Sequence, residues 1–109
     1  MITRLLTAAG VRHRQGRFLK PPEGTYAVFF DDLEVDAADR VTGVRAPRIY
    51  HHDVLVELYE PKPDPEAEAA IEAALDAEGL AWTKEDREWL QDVQRYQVLY
   101  EFSYTSKQP

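Results

Sequence analysis

The sequence predicts an α+β two-layer domain, a small mainly antiparallel sheet covered on one face by two helices. Three observations lead there. Residues 93–105 alternate with period two: Tyr96, Val98, Tyr100, Phe102 and Tyr104 fall on one face, Arg95, Gln97, Glu101 and Ser103 on the other, the mark of a half-buried strand. Residues 25–31 and 48–60 are two further apolar runs of strand length. Between the second run and residue 93, Asp64-Pro65 opens a segment with Ala67, Ala70, Ile71, Ala74 and Leu75 at helical spacing, a good N-cap and first residue followed by an apolar stripe.

In chain order, Ile2, Leu5, Leu6 and Ala9 predict a short helix over residues 2–9 that Gly10 stops. So few turns need a larger partner to pack on. Residues 11–14 suit a short strand or an extended link, and Gly16 to Gly24, with Pro21-Pro22 inside, form a loop. The run 25–31 puts Tyr26, Val28 and Phe30 on one side and Ala27 and Phe29 on the other, so both faces are expected to be buried, as in a central strand. That strand continues to Val35. A long polar loop follows, and Pro47 marks the next strand, whose residues Tyr50, His52, Val54, Val56 and Leu58 share a face. Pro61 and Pro63 end it. The alanine-rich helix stops at Gly79, and its acids Glu66, Glu68, Glu72, Asp76 and Glu78 are expected to form a solvated face. Residues 80–84 predict a short strand with Leu80 and Trp82 inward, while residues 85–92 fit a loop, a half-turn or a strand end carrying Trp89. The expected order is α-β-β-β-α-β-β, with three to five strands in one domain spanning 1–109.

Composition narrows the function. The chain has 109 residues, 44% hydrophobic and 30% charged, a balance typical of a folded soluble domain. It has no cysteine, which removes disulfides, thiolate metal sites and a cysteine nucleophile. A net charge of −7 argues against a dedicated nucleic-acid binder. The charge is unevenly placed: residues 1–22 hold Arg4, Arg12, Arg14, Arg17 and Lys20 and no acid, while the remainder holds 8 basic and 20 acidic residues. Such a split suits a monomer whose basic end meets an acidic partner surface. No run approaches the roughly 20 apolar residues of a membrane helix. Residues 1–10 lack the apolar core of a secretory signal, so synthesis and residence in the cytoplasm are expected.

The residues offer little chemistry. His51 and Asp53 point one way from a strand and His52 the other, so the three cannot share an ion. The acidic pairs Asp31–Asp32, Glu34/Asp36 and Glu85–Asp86 have no spacing that fixes a geometry. Phosphate-binding, dinucleotide and nucleophile-elbow motifs are missing, and serine occurs only at 103 and 106. The tyrosine stripe of 96–104 lacks the interleaved cations of a nucleic-acid platform. No enzyme, cofactor or metal is expected.

Several stretches, in order, carry a resemblance. They are the amphipathic N-terminal helix; Gly16-Arg17-Phe18 with Pro21-Pro22; Tyr26-Ala27-Val28-Phe29; Tyr50 with Val56-Glu57-Leu58-Tyr59; an acidic helix from Asp64; and Tyr96-Gln97-Val98-Leu99-Tyr100-Glu101. Together, over about residues 2–104, they resemble the small tail terminator and neck (head–tail joining) proteins of long-tailed bacteriophages. The resemblance implies a structural virion protein at the phage neck, made in the host cytoplasm. It implies a hexameric ring that caps the tail tube, ends its polymerisation and joins tail to head. Its partners would be further copies of itself, the tail tube protein and the head-completion or connector proteins. DNA would pass through the lumen without specific binding, and no membrane would be involved. A stopper or adaptor of the same junction, or a small bacterial α+β binding module, are the alternatives. A ring needs a head-to-tail interface, for which Arg12, Arg14 and Arg17 are the candidate basic inter-subunit segment. The region 31–47 departs from the family pattern in length and acidity. Within it Asp36, Asp39, Val41 and Val44 are the candidate ring or tail contacts, because a long connection in a small domain is more often functional than idle.

Overall fold

A computed structural model describes residues 1–35 and 48–108. Two helices and six strands follow one another as α1 (Ile2–Ala8), β1 (Arg12–Gln15), β2 (Tyr26–Val35), β3 (Arg48–Glu60), α2 (Pro65–Ala77), β4 (Trp82–Lys84), β5 (Glu88–Leu90) and β6 (Arg95–Gln108). The fold is α+β, as its sequence predicts. One sheet runs β1-β2-β3-β6-β4, with β5 also paired to β6. Only the β1–β2 pair is parallel. The strand β5 is an addition to the expected order. Its three residues carry no period of their own, and pairing of Trp89 with Tyr96 fixes them instead.

Both helices end alike. The Val11 N–H reaches the Leu6 carbonyl and the Leu80 N–H the Leu75 carbonyl, with Gly10 and Gly79 at φ +74° and +69° between. This six-to-one closure needs a left-handed residue, which glycine supplies without steric cost. At the other end of α2, Asp64 Oδ1 accepts the Ala67 N–H at 3.1 Å and Asp64 Oδ2 the Thr25 hydroxyl at 2.7 Å. The cap thus ties the helix to the start of β2.

Alternation along the strands sorts the two faces. Ala27 and Phe29 of β2, Val54, Val56 and Leu58 of β3, and Val98, Tyr100 and Phe102 of β6 form the core with Ile2, Leu5 and Leu6 of α1 and Ile71 and Leu75 of α2. On the opposite face Tyr26 and Val28 are also buried, whereas Phe30 is 42% exposed. Burial of both faces therefore holds only for the first half of β2. There the loop after β1 folds over the sheet, with the Phe18 ring edge-on to Tyr26 at 5.4 Å. Beyond it, β2, β3 and β6 run on as a long ladder from Tyr26↔Tyr59 to Val35↔Tyr50 and from Glu60↔Tyr96 to Arg48↔Gln108. This blade gives the molecule its 52 Å long axis.

The solvated acidic face expected of α2 is wrong in part. Glu68 is buried, and Glu72 is half-buried and ion-paired. The cations Lys84 and Arg87 draw them in.

Candidate functional site

Three polar arrangements stand out, and each is set by strand or helix period. The first lies between α2 and the sheet. Continuing the inward positions 54, 56 and 58 of β3 brings Glu60 into the core with no exposed surface. Glu68 shares the inward stripe of α2 with Ile71 and Leu75. Arg87 donates through Nε to Glu60 Oε1 at 3.1 Å and through Nη2 to Glu68 Oε2. Lys84 Nζ lies 2.9 Å from both Glu68 Oε1 and Glu72 Oε2. The Tyr100 hydroxyl donates to Glu72 Oε2 at 2.8 Å, and the Asp64 N–H to Glu60 Oε2 at 3.2 Å.

Three carboxyl groups thus face two cations, and the geometry balances if one carboxyl keeps a proton. That carboxyl is Glu60. Burial and then the bond to the neighbouring Glu68 push its pKa up to about 7, against the pull of Arg87. Burial also acts to raise Glu68, but the bonds from Glu60, Lys84 and Arg87 outweigh it and hold Glu68 well below the usual carboxylate range. Tyr100 is pushed far above the usual phenol value by burial and by its bond to Glu72. A buried, internally paired cluster of this kind fixes how α2 sits on the sheet.

The second arrangement joins three strands on the helix-covered side of the blade. His52 Nδ1 lies 3.0 Å from Asp31 Oδ1, and its Nε2 lies 2.9 Å from Ser106 Oγ. The ring stacks on Tyr104, with centroids 4.2 Å apart and planes 7° from parallel. A carboxylate can only accept, so Nδ1 donates to Asp31, while Nε2 meets the Ser106 hydroxyl. The order Ser–His–Asp is that of an acyl-transfer triad. The rest of such a site is not built the same way. A triad serine sits on a sharp exposed turn beside oxyanion donors, whereas Ser106 lies within the β6 ladder opposite Tyr50. We read the group as a brace that locks β2, β3 and β6 in register. Treatment with a fluorophosphonate serine probe is therefore expected to leave the protein unlabelled by mass spectrometry. Labelling of Ser106 that disappears in His52→Ala would reverse this reading.

The third arrangement is a pair of oppositely charged surfaces. Arg12 and Arg14 are exposed on β1, the edge strand, and Arg17 is exposed just beyond it. The candidate basic segment is thus contiguous and on the surface. On the sheet face away from the helices, a depression of about 620 Å³ is lined by Asp32, Asp53, Leu55, Thr83, Glu101 and Ser103, among others. Asp32 and Asp53 face each other across β2 and β3, and Ser103 Oγ donates to Asp53 Oδ1 at 2.6 Å. Asp31, Asp32 and Glu34 belong to β2, not to the following loop. Asp36, Asp39, Val41 and Val44 lie outside the described residues. Among the described residues no group of three or more histidines and acids is arranged to hold a metal ion.

Neither the buried cluster nor the triad-like brace is apparent from motifs. The signal for the first was the inward phase of Glu60 and Glu68. The second requires strand register, which motif spacing does not carry.

No protein-family model matches this chain, and no curated protein sequence does. Among solved structures, the chain is similar to a chain in the virion of a native gene transfer agent particle. The two are 15% identical, and the match covers 94% of this chain and 84% of that one, with a TM-score of 0.58. At that identity the likeness is one of fold, and it extends over nearly the whole domain.

Proposed function

We propose that this chain is a structural component of a phage-like virion and acts at the neck as a tail terminator. In that role it forms a ring, a hexamer, that caps the tail tube, stops its growth and offers the surface to which the head joins. The observation that carries the proposal is the shared fold, over 94% of the chain, with a component of a gene transfer agent virion. The sequence resemblance to neck proteins points the same way, as does the absence of a motif for catalysis. The exposed basic edge and the acidic sheet face give one copy the two unlike surfaces that a head-to-tail ring uses.

Deleting the gene from the genome that encodes the particle tests this directly. Tail tubes of uncontrolled length, together with tailless heads, are expected by electron microscopy, and supplying the chain in trans should restore joined particles. Tails of normal length that fail only to join would assign the chain to the stopper or adaptor position. Normal particles would overturn the proposal.

A further inference from the structure

Resting on that ring reading, we infer that the ring closes by insertion of the Leu19 loop of one copy into the acidic depression on the next. The loop between β1 and β2 is anchored from below by Phe18 on Tyr26. Its next residue, Leu19, is 82% exposed, the most exposed large hydrophobic of the described residues. Arg17 and Lys20 flank it, and Arg12 and Arg14 lie on the adjoining edge strand. The result is an exposed apolar knob with a cation two residues before it and another directly after it. Burying such a side chain on a neighbour removes its apolar surface from water, which favours the contact.

The depression is its complement. Leu55 and Ala81 contribute apolar surface to its lining, and Asp32, Asp53 and Glu101 supply negative charge. Its volume of about 620 Å³ accommodates a leucine and its flanking stems. Asp32 and Asp53 sit directly opposite each other, and like charges so placed are destabilising. The one described bond to either carboxylate is from the neutral Ser103 hydroxyl. A guanidinium or ammonium from a neighbour relieves that repulsion. The occupant is a second copy because this chain carries the matching charge in its own first 22 residues. Within one copy, the start of β2 beside the loop and Asp32 are six residues apart along the strand, or about 20 Å. Knob and socket are therefore different patches, as a heterologous, ring-closing contact requires.

The absence of cysteine makes the test clean. In Leu19→Cys with Thr83→Cys, mild oxidation should give covalent multimers up to the full ring on a denaturing gel, while either single variant gives at most dimers. Leu19→Asp alone, and Asp32→Lys with Glu101→Lys alone, should each abolish ring formation by sedimentation or native mass spectrometry without changing the circular dichroism spectrum. Mixed together, these two half-defective chains should stop at dimers, since only one productive contact remains. Restoration is expected when Arg17→Glu and Lys20→Glu are combined with Asp32→Lys and Glu101→Lys in one chain. Rings that persist through Leu19→Asp and through Asp32→Lys with Glu101→Lys overturn this contact while leaving the neck function standing. A wild-type chain that stays monomeric at every concentration, with no multimers from the double-cysteine variant, also overturns it. Failure of the neck function is read separately, from particles of normal form in the deletion strain.

Discussion

Phe102→Ala is expected to cost about 3–5 kcal/mol, the usual range for truncating a buried aromatic. The ring is 4% exposed and belongs to the core formed by Val54, Val56, Tyr100 and the two helices. Its backbone lies between Val54 of β3 and Trp82 of β4, so two paired strands hem in the cavity left behind. The cavity cannot collapse cheaply, which places the cost towards the upper end. Domains of this size have a total of about 5–15 kcal/mol, so the loss is a large share of the whole and enough to threaten folding. The next residue along β6 gives the control. Glu101 is exposed on the opposite face, and Glu101→Ala is expected to change stability by no more than about 0.5 kcal/mol. Urea denaturation of the two variants reads this directly. Equal shifts in midpoint would mean that the faces of β6 are assigned the wrong way round.

That contrast also marks what the sequence could and could not disclose. Period is local, so the inward set Val98, Tyr100 and Phe102, and likewise Val54, Val56 and Leu58, is legible from alternation alone. Helix ends are legible as well, because Gly10, Gly79 and Asp64 act through their own backbone neighbours. Register is not local. His52 is separated from Asp31 by 21 residues and from Ser106 by 54, and no pattern within a strand says which residues will lie opposite. The same holds for β1: its four polar residues suit a strand or an extended link equally, and parallel pairing with Tyr26 to Phe29 decides for the strand. The acids of α2 failed differently. A helix whose outer face is rich in glutamate hides the one that shares the phase of Ile71 and Leu75, and only the cations at 84 and 87 make its burial tolerable.

For the proposed function, legibility was poorer still. Assembly surfaces have no motif, because complementarity between copies is spread over shape and charge and not held in a spacing of catalytic residues. What the chain did disclose was its charge asymmetry. The fold gives that asymmetry a geometry, with cations on an edge strand and its following loop, and carboxylates on the open face of the blade.

The stability of the domain is expected to fall as pH rises from about 4.5 to about 7, with Glu60 as the cause. Its pKa is raised from 4.5 to about 7 on folding, by burial first and by Glu68 second. Between those values the folded chain holds a proton that the unfolded chain has released, so raising the pH favours unfolding. Glu68 acts in the opposite sense and in another window. Its lowered pKa contributes stability that is present above the unfolded value and lost as pH falls well below 4.5, so it does not mask the effect. For a carboxyl with no exposed surface, the fall between pH 5 and pH 8 is on the order of 2–3 kcal/mol. Glu60→Gln cannot titrate. It also forfeits an acceptor for either the Asp64 N–H or the Arg87 Nε–H, at a cost of about 1 kcal/mol. The variant should therefore be less stable than the native chain at pH 5, equal to it or better at pH 8, and nearly flat between. Arg87→Met removes the cation that Glu60 and Glu68 share. It should steepen the fall with pH, because both carboxylates then charge without that partner. Urea midpoints at pH 5 and pH 8 for the three chains decide the matter: a native slope that survives unchanged in Glu60→Gln would place the titrating group elsewhere.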